Sequence, residues 1–284
     1  MGMTLSAHAE VTTESLPEMQ IGTIGEETGL SADIWGKQPD ADKVLSQIRA
    51  AATADFNDAE KEILRRILMT DVGGVVPLEQ EAYLIERMKT LAAQGMADEA
   101  LKLGNLGPEK NKSDALKRTM AEILFVIGRA NEACAENLTA AFGKKEAFIR
   151  AACVDAVGVP PETALAYEVY RESEQDQFPF MNAAGEVLYR GLETPLPTGT
   201  PDVWEMPILA RAYGTEIFKL DLSKQALRTL VNQESVPTDV RLIAVDQMRK
   251  ATAVKSDGDV LTHLIQVATE RRLVEATLGA RDAK

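Results

Sequence analysis

The chain has 284 residues, 45% apolar and 26% charged, which is enough apolar material for a large core and too much for a disordered chain. A formal charge of −13, with no dense Lys/Arg cluster, excludes the counterion-releasing surface that a nucleic-acid binder needs. No run reaches the roughly 20 apolar residues that cross a bilayer, and scarce aromatics beside abundant Ala, Leu, Glu, Lys and Met predict helix and no significant sheet.

Residues 1–36 read as a leader. Leu5-Ser6-Ala7-His8-Ala9 before Glu10 has the small-x-small form of a signal-peptidase site, here without the charged and apolar regions that normally precede one. The expected location is periplasmic or secreted in a bacterium; a chance match would leave the protein cytoplasmic. Polar residues with Gly22, Gly25 and Gly29 follow and predict an extended segment.

Residues 37–190 read as one amphipathic helix after another. Asp40 is placed to cap a helix with Val44, Ile48 and Ala51 inward, and Asn57 one with Ile63, Leu64, Ile67 and Leu68 inward. After the break at Gly73-Gly74, helices are predicted over 78–94, 97–104, 114–127, 130–141, 145–157 and 161–173. The prolines and glycines of 191–203 exclude regular structure and predict a linker. Residues 204–284 are then predicted helical over 203–213, 223–233, 238–253 and 258–278, continuing the same stack.

Three segments align on Gly-x-x-x-Glu: Gly95 with Glu99, Gly128 with Glu132, and Gly158 with Glu162, spaced by 33 and 30 residues. A helix ending at Gly and a second opening with Glu make an antiparallel hairpin, and Ala100 and Ala133 let the pair approach closely. One hairpin cannot bury its own apolar stripe, so neighbours must stack. The pattern resembles the tetratricopeptide-repeat class, with its period of about 34 residues. That resemblance implies an α-solenoid of helical hairpins binding a protein or peptide. The Trp-x-x-Leu-Gly-x-x-Tyr start is absent, and the closing Pro does not recur in every unit. The layout is also loosely similar to uncharacterised exported proteins of alphaproteobacteria, which supply no activity to carry over. Gly-x-x-x-Glu-Ala also recurs in helical bundles without a repeat.

Cys134 and Cys153 are the only cysteines and lie symmetrically about Gly143-Lys144, the turn between two predicted helices. Helix axes about 8–10 Å apart stretch a disulfide unless neighbours are small, and Ala133, Ala135, Ala151 and Ala152 are small. The spacing therefore predicts a bridge, worth on the order of 3 kcal/mol in an oxidising compartment. The alternative is two buried thiols acting as small apolar residues.

With only His8 and His263, the chain has little material for a metal site or a catalytic triad, and no catalytic, cofactor or metal residue is assigned. Trp35, Trp204, Tyr213 and Phe218 lie in or beside predicted loops, as partner anchors or as fillers between helices. The expected function is that of a non-catalytic exported scaffold. The competing readings are an envelope-polymer hydrolase using paired carboxylates and a structural subunit of an envelope assembly.

Overall fold

The computed structural model describes residues 41–70, 80–106, 112–157, 160–174 and 178–252. The Ala7-His8-Ala9 site, Trp35, Asp40, Gly158, both histidines and the helix expected over 258–278 lie outside them. The fold is all-α: α1 (Ala41–Thr53), α2 (Asp58–Met69), α3 (Gln80–Ala93), α4 (Ala97–Gly104) and α5 (Asp114–Val126) form the first half. After them come α6 (Ala130–Ala133), α7 (Glu136–Thr139), α8 (Glu146–Val157), α9 (Pro160–Glu174), α10 (Pro179–Arg190), α11 (Met206–Tyr213), α12 (Lys224–Asn232) and α13 (Thr238–Thr252). Among the described residues there is no sheet, and Thr70 is a lone bridge residue.

Local chemistry sets several helix starts. Asn57 opens α2 with a capping box, its Oδ1 accepting from the Glu60 amide at 3.0 Å while Glu60 accepts from the Asn57 amide at 2.7 Å. Ser113 and Ser223 cap α5 and α12 in the simpler one-bond form. The inward faces follow the periodicity: Val44, Ile48 and Ala51 of α1 are buried, as are Leu64, Ile67 and Leu68 of α2. Ile63 is an exception at 39% exposed, because it lies one step round the helix from Leu64 and faces outward.

Two helices differ from the sequence reading. The helix expected over 130–141 is broken at Cys134-Ala135 into α6 and α7 and passes into a 3₁₀ turn, Ala140–Lys145. Helix α10 has no counterpart in the prediction, although Pro179 within its first turn and Gly191 in a left-handed conformation (φ 64°) just after it are strong start and stop signals.

The turns at Gly95 and Gly128 are built alike. The Gly95 amide donates to Ala92 O and the Met96 amide to Leu91 O; the Gly128 amide donates to Phe125 O and the Arg129 amide to Leu124 O. This paired closure needs a left-handed residue, and the two glycines have φ of 87° and 82°. Ala100 and Ala133, five residues beyond each glycine, are fully buried.

After the irregular stretch 191–202 the chain does not simply extend a stack. Helix α10 packs on α11, while α11 packs on α8 and α12 packs on α5, which a stack touching only nearest neighbours would not do. Arg228 of α12 donates to the Ala92 and Ala93 carbonyls at 2.8 and 2.6 Å, closing the end of α3. One turn further on, Asn232 donates to Val126 O at 3.0 Å and Gln233 to Phe125 O at 2.6 Å, closing the end of α5. A single helix thus bridges the two glycine turns.

The core centres on Trp204, which is only 2% exposed and packs on Phe125 at 4.2 Å and edge-on to Phe142 at 5.6 Å between ring centroids. A second aromatic group joins Phe148, Tyr167, Tyr170 and Phe178, with Phe148 and Phe178 stacked at 3.9 Å. The two glycine turns should respond unequally to a methyl group. A Cβ on Gly128 would come within 2.4 Å of the Asn232 carbonyl oxygen, whereas one on Gly95 would meet only Arg228 side-chain atoms, 3.4 Å away at closest. Gly95→Ala is expected to cost about 1 kcal/mol from its backbone conformation, and Gly128→Ala about 3 kcal/mol. Urea unfolding reads both, and equal losses would show that α12 does not press on Gly128.

Candidate functional site

A broad concavity of about 920 Å³ runs between α8 and α9. It arises because α9 is apolar on two sides. Tyr167 and Tyr170 face inward to the aromatic group, with Tyr170 donating to the Phe178 carbonyl at 3.2 Å. Leu165 and Val169, one turn apart, face outward at 69% and 53% exposed, and Val157 at the end of α8 is 43% exposed. Single exposed aliphatics are ordinary, but three lining one groove form a patch. Glu162 lies on the groove wall, as do Glu146 and Arg150, which form an ion pair at 2.6 Å along α8.

Cys134 and Cys153 line the same groove, their sulfurs at disulfide distance with Cα atoms 5.6 Å apart. The approach follows from the break after α6 and from small neighbours, since Ala133, Ala151 and Ala152 are all buried. The pair ties the segment leaving α6 to the middle of α8, and so holds one wall of the groove against its floor.

Of the two readings open for the aromatic candidates, Trp204 takes that of a filler: it lies at the centre of the core, and its place as a partner anchor is corrected because it offers no surface. Tyr213 and Phe218 are partly buried against the core, and the Tyr213 hydroxyl donates to the Thr194 carbonyl at 3.1 Å, tying the irregular stretch down. Neither borders the groove. The residues that do, Leu165, Val169 and Val157, were not singled out, although Leu165 and Val169 at i and i+4 on the face opposite Tyr167 and Tyr170 were a usable signal.

Three carboxyls are pushed above their ordinary range, and two of them serve the fold. Asp155 of α8 is held up by burial, and opposed in this by Arg211 at 2.7 Å and the Tyr189 hydroxyl at 2.8 Å, so it pins α8 to α11. Glu205 is driven to about 7 by burial, and both its oxygens accept backbone amides, from Met181 at 3.0 Å and Asp202 at 2.8 Å. Glu122 is raised by burial and then by Asp202, and it lines a smaller pocket. Among the described residues no group of three His, Cys, Asp or Glu side chains is placed to hold a metal, and no helix is long and apolar enough to cross a membrane.

No family model matches the chain, no curated protein matches it, and no solved structure matches its fold.

Two expectations follow. Because the Glu205 carboxyl holds its proton up to about pH 7 when folded but only to 4.5 when unfolded, the native state binds the extra proton in that window. Its contribution, on the order of 3 kcal/mol, is complete below the unfolded value and is lost as pH rises through the folded one. Denaturant unfolding across that range should show the decline, and Glu205→Gln should flatten it; an unchanged slope would remove Glu205 as its source. Separately, Cys134→Ser with Cys153→Ser is expected to cost on the order of 3 kcal/mol relative to the oxidised protein, read by thermal unfolding.

Proposed function

We propose that this protein is a non-catalytic scaffold of tetratricopeptide-like helical hairpins, exported to a bacterial envelope, that docks a peptide segment of a partner protein in the groove between α8 and α9. The observation that carries the reading is the exposed Leu165, Val169 and Val157 lining one concavity. Apolar side chains gathered in a groove gain by leaving water, and an amphipathic helix is the commonest element that presents a matching stripe. The occupant is a helical segment with aliphatic residues on one side and Lys or Arg on the other. Its charge follows from the formal −13 of the chain and from the groove walls, where Glu146 and Glu162 outnumber Arg150.

Export is supported by the cysteine pair, since a bridge between Cys134 and Cys153 persists in an oxidising compartment and is rare in a reducing one. The small-x-small motif at Ala7-His8-Ala9 points the same way.

The test is fluorescence anisotropy with a labelled amphipathic helical peptide of about four turns, Leu and Val on one face and Lys on the other. An acidic version with the same apolar face is the control. The basic peptide is expected to bind at least about tenfold tighter than the acidic one. Leu165→Glu with Val169→Glu should abolish binding while leaving the unfolding free energy within about 0.5 kcal/mol, because both sites are exposed. Binding that survives the double substitution, or that ignores peptide charge, would refute this occupant.

A further inference from the structure

A second cavity lies where α12 crosses the ends of α3 and α5. It is a recessed pocket of about 260 Å³, room for roughly nine water-sized groups, with Met248 of α13 on its wall. Its character differs from that of the groove. Ile123, Val126 and Met248 supply an apolar lining, and Lys89 and Arg228 bring two cations to it against the single acid Glu122. In a chain with a formal charge of −13, a pocket with an excess of positive charge runs against the background.

Arg228 is the centre of the argument. One of its terminal nitrogens, Nη1, makes both bonds to the Ala92 and Ala93 carbonyls, at the negative end of α3. A guanidinium carries five N–H donors in a flat fork, and the others on Arg228 have no acceptor among the described residues. No carboxylate pairs with it either, and burial alone pulls the guanidinium below its usual value. Its Nη2 lies over the Gly95 turn, 3.4 Å from where a Cβ would stand. Spare donors of this kind, beside an apolar cavity, suit the two-oxygen edge of a carboxylate. Burial, and then Asp202, raise the Glu122 carboxyl above its ordinary value, while Lys89 opposes the shift.

We propose that this pocket is a binding site for a small organic carboxylate with an apolar body, its oxygens on Arg228 with Lys89 alongside and its chain against Ile123, Val126 and Met248. The site is separate from the α8–α9 groove and does not depend on the function proposed for it. Because α12 bridges the two glycine turns through Arg228 and Asn232, a ligand here would also brace that closure.

Sodium hexanoate is a suitable probe, with 1-hexanol and hexylamine as controls of equal chain length. Isothermal titration of the full chain is expected to show one hexanoate site with a Kd of about 1 mM or tighter. Both controls should bind at least about tenfold more weakly. Amide shift changes in a ¹⁵N-labelled sample should gather in α3, α5 and α12. Ala97→Leu, which puts a larger side chain on the pocket wall, should abolish binding. Lys89→Ala removes an exposed cation and should weaken binding about three- to tenfold. The proposal is overturned if hexanoate shows no saturable binding, if hexylamine binds as well, or if shifts gather elsewhere. It is equally overturned if Lys89→Ala and a folded Ala97→Leu both bind like the parent.

Discussion

Helices in this protein are short and many of them end in the interior, where the last four carbonyls of each have no partner within the helix. A buried acceptor left unpaired costs about 1–3 kcal/mol, so each such end must be met by a donor from elsewhere. The chain meets them with long polar side chains from the next layer. Gln94 donates to Ala51 O and Ala54 O at the end of α1, and Arg87, fully buried, donates to Leu68 O and Thr70 O at the end of α2. Arg228 closes α3, Asn232 and Gln233 close α5, and Arg241 donates to Val231 O at the end of α12. Each of these bonds works at only one register of one helix on another, so the carbonyl ends decide how the helices pack as well as whether they are satisfied.

That constraint explains why polar residues lie so deep in an otherwise apolar core. Arg87 donates to carbonyls at the end of α2 and lies over the face of Tyr83, 5.1 Å from the ring centroid. Glu205 is the mirror case. It offers its oxygens to the Met181 amide at the start of α10 and to the Asp202 amide, and it gives up its usual acidity to stay buried there. Asp155, fully buried, forms a long-range ion pair with Arg211. Removing either alone would strand a charge and cost several times more than any of the exposed helix-face pairs.

The two concavities follow from the same architecture by different routes. The α8–α9 groove exists because α9 carries more apolar residues than its inward face can bury, leaving Leu165 and Val169 outside while Tyr167 and Tyr170 fill the core. The smaller pocket exists because α12 meets the ends of α3 and α5 through side chains, which leaves space between the elements it bridges. The cysteine pair fixes the first and the glycine turns fix the second, so neither cavity depends on the loose surface ion pairs.

Helix class, most helix limits and most inward faces were determined by the sequence alone, because capping boxes, glycine stops and 3.6-residue periodicity act over a few neighbouring residues. The pairing of Cys134 with Cys153 was legible for the same reason, since a short symmetric hairpin leaves little else for the two to meet. The break at Cys134-Ala135 was not, because Ala-rich local sequence favours helix there and only packing against α8 overrides it. Nor was the fate of Trp204, whose loop-like surroundings say nothing of Phe125 and Phe142 arriving from elsewhere in the chain. The return of α12 to the glycine turns, and with it the small pocket, was decided only by the tertiary structure. Bonds such as Arg228 to Ala92 join residues 136 apart, and no local rule of spacing or propensity carries information over that distance.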